Sequence, residues 1–390
     1  MSGVGINQAV IARRLFDGDA WLDDHALIIE GDKISALIPR QEVPANLETL
    51  DLGELSLAPG LVDIQVNGGG GVMLNNEPSA EGVRQIANAH RQYGTTGVMP
   101  TLISDTPQIQ REAAAAVTEV RSQGTAGVLG LHLEGPHFSL ERRGTHKASM
   151  IRPPATDDID WMSELQDFPV IVTLAPEQAE AGTVRRLSDA GLLVCAGHTN
   201  ASYQQIADAI AGGLRGFTHL FNAMSPLTSR SPGTVGAALD SQETWAGIIA
   251  DGHHVHPAAI RLAHKAKPAG KLILVSDAMS TVGGPDSFEI YGERIEVKEG
   301  RLVNREGNLA GSAIALIDAV RISHEEVGLP LEESLRMASL YPAEFLRLGD
   351  QLGRLAEGYR ADLFAFDDDY RVKHTWVAGA HQHHSRQETA

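Results

Sequence analysis

Through the middle of the chain, short apolar runs alternate with alanine-rich stretches of helical character. Eight apolar runs of strand length lie at residues 61–66, 97–103, 128–134, 170–176, 192–198, 216–221, 245–251 and 272–277. The segments between them, such as residues 79–93 and 106–123, are each about one helical crossover long. Eight parallel strands joined by helices close into a barrel. We therefore predict an α/β fold with a TIM-like (β/α)8 barrel, whose reactive groups lie at the carboxyl ends of the strands.

Both ends of the chain carry shorter β-like runs instead. The N-terminal runs predict a small antiparallel sheet, and strand patterns return near the C-terminus after two helical segments. We predict that both ends form one small β-sandwich domain, residues 1–58 and 347–390, beside a barrel domain of residues 59–346. A hairpin inserted at residues 283–308 is predicted beside the barrel mouth. The polar tail 381–390 is expected to be disordered.

Polar side chains lie where the predicted barrel strands end. They are Gln65, Glu134, His198, His219 and Asp277, with His253 and His254 just after the seventh strand. One carboxylate and two imidazoles, from Glu134, His198 and His219, are a ligand set that catalytic zinc sites use while leaving one position open for water. The alternative is that each of these side chains is an independently hydrogen-bonded barrel residue.

Strand alternation predicts where two neighbouring side chains point. Cys195 lies three residues before His198, so it points toward the outer helices if His198 points into the barrel. His132 shares the inward face with Glu134, one layer deeper, and a structural role is favoured for it. Cys195 is then a small buried apolar residue.

Composition narrows the classes of partner and site. The chain has 390 residues, and 50 acidic against 32 basic side chains give a net charge of −18, which disfavours nucleic acid or an anionic membrane as a partner. A single cysteine excludes an internal disulfide and a thiolate metal cluster, whereas 16 histidines allow imidazole ligation. Neither a targeting signal nor a long apolar run occurs, so a cytoplasmic protein is expected.

Three loop features are ambiguous on residue type alone. The glycine run at residues 68–71 is followed by Asn75, Asn76 and Pro78 rather than by a helix start, so a flexible loop is favoured over a phosphate loop. His146 fits a solvated loop histidine as well as a group reaching across the mouth. Arg230 fits an anion ligand and a surface charge equally.

Six segments together resemble a known enzyme family. They read, in order, APGLVDIQVNG, LHLEGPH, GHTNA, THLFNAM, IADGHHV and VSDA. This pattern is similar to the N-acetylglucosamine-6-phosphate deacetylase family of the amidohydrolase superfamily, from about residue 59 to beyond residue 277. The flanking β segments resemble that family's split small domain.

The resemblance implies a role for each matched residue. Glu134, His198 and His219 would be metal ligands, and Asp277 the catalytic acid and base. His146 would help to hold the amide carbonyl. The sugar-phosphate contacts would come from His254, Asn222, Ala223, Gln65 and Arg230, with Arg230 reaching in from the neighbouring subunit of a homodimer.

One departure from the superfamily pattern bears on the number of metal ions. Where many amidohydrolases carry His-x-His at the end of the first strand, this chain has Gln65 and Asn67, and a carboxamide is a poor transition-metal ligand. The expectation is one divalent ion per subunit, zinc first, although iron, cobalt or manganese would accept the same ligands. No role is assigned to His137.

The implied reaction is hydrolysis of the acetamide of N-acetylglucosamine 6-phosphate to glucosamine 6-phosphate and acetate. Metal-bound hydroxide would be the nucleophile, and Asp277 would take the water proton and pass it to the departing amine. Two other enzyme functions would use the same fold: deacetylation of N-acetylgalactosamine 6-phosphate, or hydrolysis of an N-acyl amino acid. A barrel that serves only as a scaffold is disfavoured, because it would have no need for these costly polar groups.

Overall fold

The computed structural model describes residues 7–384. Its strands, numbered along the chain, are β1 (Asn7–Ile11), β2 (Arg14–Phe16), β3 (Trp21–Asp23), β4 (His25–Glu30), β5 (Lys33–Pro39), β6 (Glu48–Asp51), β7 (Ser56–Pro59), β8 (Leu61–Val66), β9 (Gly68–Gly69), β10 (Val72–Met73), β11 (Thr95–Ile103), β12 (Leu131–Glu134), β13 (Val170–Leu174), β14 (Leu193–Ala196), β15 (Gly216–Phe217), β16 (Trp245–Ile249), β17 (Leu272–Val275), β18 (Ser287–Ile290), β19 (Glu293–Lys298), β20 (Arg301–Val303), β21 (Leu363–Phe366), β22 (Val372–Val377) and β23 (Ala380–His383). The helices are α1 (Ala80–Arg91), α2 (Pro107–Ser122), α3 (Thr156–Ser163), α4 (Thr183–Asp189), α5 (Tyr203–Ala211), α6 (Gly233–Asp240), α7 (Pro257–Ala266), α8 (Leu316–Glu325), α9 (Leu331–Met337) and α10 (Leu340–Phe345).

Eight parallel strands form the centre of the molecule. They are hydrogen-bonded in the order β8, β11, β12, β13, β14, β15, β16 and β17, and helices connect them. The predicted (β/α)8 barrel is confirmed. Several strands end earlier than predicted: β14 stops at Ala196, β15 at Phe217 and β17 at Val275.

Between β17 and β8 the barrel is closed by a seam of individual hydrogen bonds. Asp277 N–H donates to the Gln65 carbonyl at 3.0 Å, and Asn67 N–H donates to the Ala278 carbonyl at 2.9 Å. Deeper in the seam, the buried carboxyl of Asp63 accepts from the N–H groups of Gln65 at 3.2 Å and Ser276 at 3.3 Å. This seam brings the end of β8 directly beside Asp277.

The crossover helices begin at residues that satisfy free backbone N–H groups. Ser79 accepts from Gly82 N–H before α1, Thr106 accepts from Ile109 N–H before α2, and Ser202 caps α5 in the same way. Such capping defines where each helix begins. The apolar faces of these helices pack against the barrel strands in one continuous core.

Two sheets built from both ends of the chain pack beside the barrel. One has the order β5, β4, β1, β6, and the other the order β23, β22, β21, β7, β2, β3. Apolar side chains of both sheets, such as Val10, Leu27, Leu57 and Trp376, form a separate core between them. The predicted pairing of the chain ends is confirmed, because β21 pairs with β7. The boundaries at residues 58 and 347 stay a prediction.

The N-terminal sheet is not purely antiparallel, so that expectation is wrong. β1 pairs in parallel with β6, and β2 pairs in parallel with β7. Other strands lie between the two members of each pair in the sequence, and they return the chain to the end of the sheet where the first member began. β6 and β7 therefore run in the same direction as their partners.

Two further segments differ from expectation. The inserted hairpin is a three-stranded antiparallel sheet, β18 to β20. The tail is ordered at residues 381–383, which belong to β23, because β23 pairs with β22. Residues 385–390 lie outside the described part of the chain. Within residues 7–384, no helix combines the length and the apolar character that a membrane crossing needs.

Candidate active site

Glu134, His198 and His219 meet at the carboxyl end of the barrel. Glu134 is the last residue of β12, whereas His198 and His219 lie two residues beyond the ends of β14 and β15. Both histidines have left-handed backbones, with φ of 49° and 36°. Such a conformation is costly for a residue with a side chain and is concentrated at functional sites. Here it turns both imidazoles toward Glu134.

The donor atoms of these three side chains converge closely. Glu134 Oε1 lies 3.3 Å from His198 Nε2 and 3.1 Å from His219 Nε2, and the two Nε2 atoms are 3.0 Å apart. Within the described part of the chain, this is the group of three metal-ligating side chains whose ligand atoms all lie within 4.8 Å of one another. All three residues are buried.

The tautomer of His198 shows that this arrangement suits a cation. His198 Nδ1 lies 2.8 Å from the Arg142 carbonyl, which can only accept a hydrogen bond, so Nδ1 carries the proton. In the neutral imidazole, Nε2 therefore presents a lone pair toward Glu134 Oε1. Two acceptors at this distance repel each other unless a positive charge lies between them. The donor set thus fits a divalent transition metal bound by two imidazoles and one carboxylate.

Asp277 lies beside this group, and two amides hold it there. Asn67 Nδ2 donates to Asp277 Oδ1 at 2.7 Å, and Gln65 Nε2 donates to the same oxygen at 3.2 Å and to Glu134 Oε2 at 3.0 Å. Among the described residues, no donor is bonded to Asp277 Oδ2. The amides therefore fix one carboxylate oxygen and leave the other available to move a proton.

The two carboxylates have opposite acidities. Burial works against the charged form of Glu134, but the adjacent imidazoles of His198 and His219 outweigh burial and hold the pKa of Glu134 well below its usual value. Burial, and then the nearby charge of Glu134, raise the pKa of Asp277 to about 6. Two carboxyl groups with separated pKa values are a common basis for dividing ligand and proton-transfer roles.

His146 reaches the same space from the loop after β12. Its Nδ1 accepts from the N–H of Ser104 at 3.2 Å, so the neutral ring carries its proton on Nε2. Burial, and then the neighbouring imidazole of His198, lower the pKa of His146 well below its usual value and keep the ring neutral. His146 therefore offers an N–H donor to the pocket, as the resemblance implies.

The pocket at this mouth has a volume of about 340 Å³. That volume is at the lower end of the range for small-molecule sites. Besides the residues already described, Asn222, Ala223 and His254 line it. Asp251 Oδ2 lies 2.6 Å from His254 Nδ1 and so fixes the orientation of that imidazole. The structure brings these three predicted residues together with the Glu134 group.

Two predicted substrate contacts do not line this pocket. Arg230 is exposed in the loop after β15, and the carboxamide of Gln65 is directed at Glu134 and Asp277. The roles of both residues stay predictions.

Sequence reasoning missed two parts of the site. Asn67 was treated as a missing metal ligand, although it lies two residues after Gln65 at the end of β8, a spacing that places both amides on the same side. The segment after β20 also lines the pocket through Gly307, Asn308 and Leu309. Glu306 of this segment pairs with Arg143 of the His146 loop at 2.7 Å. The insertion thus forms one wall of the mouth.

Beneath the site, His132 is buried, and its Nε2 lies 2.7 Å from Thr173 Oγ1. This contact agrees with the favoured structural role. Cys195 is a buried free thiol, as predicted, but it lines a small cavity inside the barrel rather than pointing toward the helices. That prediction is wrong because the left-handed turn at His198 breaks the strand alternation on which it relied. His137 is buried, with Nδ1 3.2 Å from the Arg152 carbonyl.

Comparison with protein families gives two matches along this chain. The model described as "Amidohydrolase family" matches residues 56–381, and the one described as "NagA composite domain" matches residues 9–54. The first match includes every residue of the site described above.

Named relatives are similar to most of the chain. An N-acetylgalactosamine-6-phosphate deacetylase of Shewanella sp. (strain ANA-3) is 43% identical over 328 residues, which are 83% of this chain and 82% of that protein. An N-acetylglucosamine-6-phosphate deacetylase of Haemophilus influenzae is 36% identical and covers 92% of this chain and 94% of its own length. The solved structure of N-acetylglucosamine-6-phosphate deacetylase from Pasteurella multocida superposes with a TM-score of 0.94 at 36% identity, covering 97% of this chain and 100% of that one.

Proposed function

Because the chain belongs to the amidohydrolase family, we propose that it is an amino-sugar-phosphate deacetylase, which hydrolyses N-acetylglucosamine 6-phosphate to glucosamine 6-phosphate and acetate. One observation carries the proposal. In a single pocket, the buried triad of Glu134, His198 and His219 lies next to a carboxylate of raised pKa and an imidazole N–H donor. This combination suits metal-assisted amide hydrolysis.

The proposed cofactor is one divalent ion per subunit, held by Glu134, His198 and His219, with zinc as the first choice. Two imidazoles and one carboxylate suit zinc and leave a coordination position open. When bound, such an ion would polarise the acetamide carbonyl and acidify water. Gln65 and Asn67 support a single ion, since their amides donate to carboxylates and do not present a second ligand pair.

The side chains of this protein then divide the work of proton transfer and charge stabilisation. Asp277 Oδ2 accepts a proton from the attacking water and delivers it to the amide nitrogen, because an unprotonated amine is a poor leaving group. His146 Nε2–H donates to the acetamide oxygen as negative charge develops there. Asn67 and Gln65 keep the Asp277 carboxylate in place during both steps.

The sugar phosphate is proposed to lie toward His254, Asn222 and Ala223, which line the same pocket. Arg230 is proposed to act across the interface of a homodimer and to pair with the phosphate of the neighbouring subunit's substrate. Its exposure in this subunit supports that role. The proposed compartment is the cytoplasm, in keeping with the acidic composition and the single free cysteine.

A second candidate substrate is N-acetylgalactosamine 6-phosphate. It is favoured by the Shewanella relative, whose name gives that substrate and whose identity of 43% exceeds that of the Haemophilus relative. The two substrates differ only in the configuration at one hydroxyl group, so they would use the same catalytic residues.

Acetate release by the purified protein tests the proposal. We expect release from at least one of the two phosphorylated epimers, with the higher kcat/KM identifying the substrate, and much slower release from unphosphorylated N-acetylglucosamine. An Asp277→Asn variant serves as the matched inactive control. Absence of acetate from both phosphorylated sugars in a metal-loaded sample would overturn the proposal.

A further inference from the structure

We propose that the hairpin formed by β22 and β23 carries a second site for a divalent transition-metal ion, built from His374, His381 and His383. We call these three residues the hairpin histidines. They lie on the small two-sheet part of the molecule and include none of the residues of the pocket described above. The ligand class is an ion that prefers nitrogen donors, such as Ni²⁺, Cu²⁺ or Zn²⁺.

The strand register places the hairpin histidines on one face. His374 is paired directly with His383, and Trp376 is paired with His381. Since alternate residues of a strand share a face, the three imidazoles and the Trp376 ring all project to the same side. His384 is on the other side, where its Nε2 lies 2.9 Å from Thr375 Oγ1, and it is not part of the site.

The nitrogen spacing of one ring pair is close to that in the buried triad, although the rings of His374 and His381 are nearly parallel, with an interplanar angle of 13° and centroids 5.2 Å apart. His374 Nδ1 lies 2.9 Å from His381 Nε2, close to the 3.0 Å between the Nε2 atoms of His198 and His219. The ring centroids of His374 and His383 are 4.7 Å apart, compared with 4.8 Å for the buried pair. Two imidazole nitrogens are therefore already at a separation that one metal ion can bridge.

His383 completes the site by a change of rotamer. Its side chain is exposed, so it can turn toward the other two rings without disturbing the core. Unlike Glu134, His198 and His219, the hairpin histidines do not yet have all their ligand atoms within 4.8 Å of one another. Binding thus includes the cost of ordering one surface side chain, and the site should be weaker than the buried triad.

The surroundings favour the ligating form of these imidazoles. Burial, followed by the neighbouring histidines, lowers the pKa of His374 to about 4, and burial followed by the charge of His383 lowers the pKa of His381. Neutral imidazole is the form that binds a metal ion. The guanidinium of Arg91, which donates to the Ala380 carbonyl, is also nearby and opposes a cation, so affinity rests on coordination rather than on charge.

Such a site would join two strands at the edge of a sheet. β23 is the outermost strand of the six-stranded sheet and pairs with β22, and the Arg91 guanidinium also donates to its Ala380 carbonyl. A metal ion bound to residues of both strands would stabilise the pairing of β22 with β23. Its binding free energy would then stabilise the hairpin against fraying.

Ni²⁺ titration of the zinc-loaded protein, followed by tryptophan fluorescence, tests the site. The Trp376 ring stacks on His381 at 4.5 Å, so bound paramagnetic Ni²⁺ should quench its emission. We expect saturable quenching and about one additional bound Ni²⁺ per chain. A His381→Asn, His383→Asn double variant should bind Ni²⁺ at least tenfold more weakly and lose the quenching, while acetate release stays unchanged.

His25→Asn provides the matched control, since His25 begins β4 of the other sheet. This variant should keep the Ni²⁺ affinity of the original chain. A Trp376→Phe variant should keep the bound Ni²⁺, measured by equilibrium dialysis, and lose the quenching. Equal Ni²⁺ affinity in the original chain and the double variant would overturn the proposal, and so would the absence of Ni²⁺ binding beyond the buried site.

Discussion

Replacing Asn67 with alanine removes the shortest hydrogen bond to the proposed catalytic carboxylate, 2.7 Å from Asn67 Nδ2 to Asp277 Oδ1. A hydrogen bond to a charged group contributes about 1.5–3 kcal/mol. One pKa unit corresponds to about 1.4 kcal/mol. Because the bond stabilises the ionised carboxylate, its loss should raise the pKa of Asp277 by about one to two units.

This shift predicts a particular pH dependence. Asp277 acts as a base only when ionised, and its pKa is already raised to about 6. In Asn67→Ala, the acidic limb of kcat/KM should move to higher pH, so that activity near pH 7 falls roughly 2- to 10-fold and recovers near pH 9. Metal content should be unchanged, since the Asn67 side chain donates to Asp277 and not to Glu134, His198 or His219.

The assay is acetate release measured from about pH 5 to 9, with metal analysis of each sample. Asn75→Ala is the matched control, because Asn75 is another buried amide at this end of the barrel but donates to the Ile103 carbonyl and to Asp105. In Asn75→Ala, the acidic limb of kcat/KM should stay at the same pH as in the original chain. A loss in Asn67→Ala that is the same at every pH, or that follows lost metal, would refute the positioning role.

Three further predictions test other parts of the site and the barrel. Asp277→Asn should keep the metal ion and lose roughly 10²-fold or more in kcat, and a near-normal rate with verified metal content would contradict its role in proton transfer. Arg230→Ala should weaken transition-state binding of the phosphorylated sugar by about 1.5–3 kcal/mol and leave hydrolysis of unphosphorylated N-acetylglucosamine unchanged, whereas equal losses for both would indicate a structural residue. Asp63→Asn tests the barrel seam: burial raises the pKa of Asp63 to about 7, so the folded state holds a proton that the unfolded chain releases near pH 4. As the pH rises from about 4 to about 7, the folding stability of the original chain should therefore fall relative to that of Asp63→Asn by about 1.4 kcal/mol per pH unit. A difference between the two thermal unfolding curves that is the same at all pH values would argue against a buried neutral carboxyl.

The alternation of apolar runs and helical segments was sufficient to predict the barrel, because each strand is buried on both faces. Glu134 was placed correctly since β12 is regular to its last residue. The orientation of Cys195 was not, because His198 leaves the strand in a left-handed conformation that residue type does not reveal.

Contacts between residues far apart along the chain were the other feature that could not be predicted from the sequence. The link between Arg143 and Glu306, which joins the His146 loop to the insertion, spans 163 positions and has no local signal. The same is true of the bond from Asn67 to Asp277, which depends on how the two ends of the barrel sheet meet. The ligand types followed from the motifs, whereas the groups that orient them followed only from the fold.

Acetate release is predicted to depend on an ion held by Glu134, His198 and His219. The most direct test is to add Zn²⁺ in steps to metal-depleted His381→Asn, His383→Asn protein, which lacks the proposed surface site, and to measure acetate release at each step. We predict that activity rises linearly and reaches its plateau at about one bound ion per chain. Full activity in the metal-depleted protein, or no activity at any Zn²⁺ loading, would contradict metal-dependent deacetylation at this site.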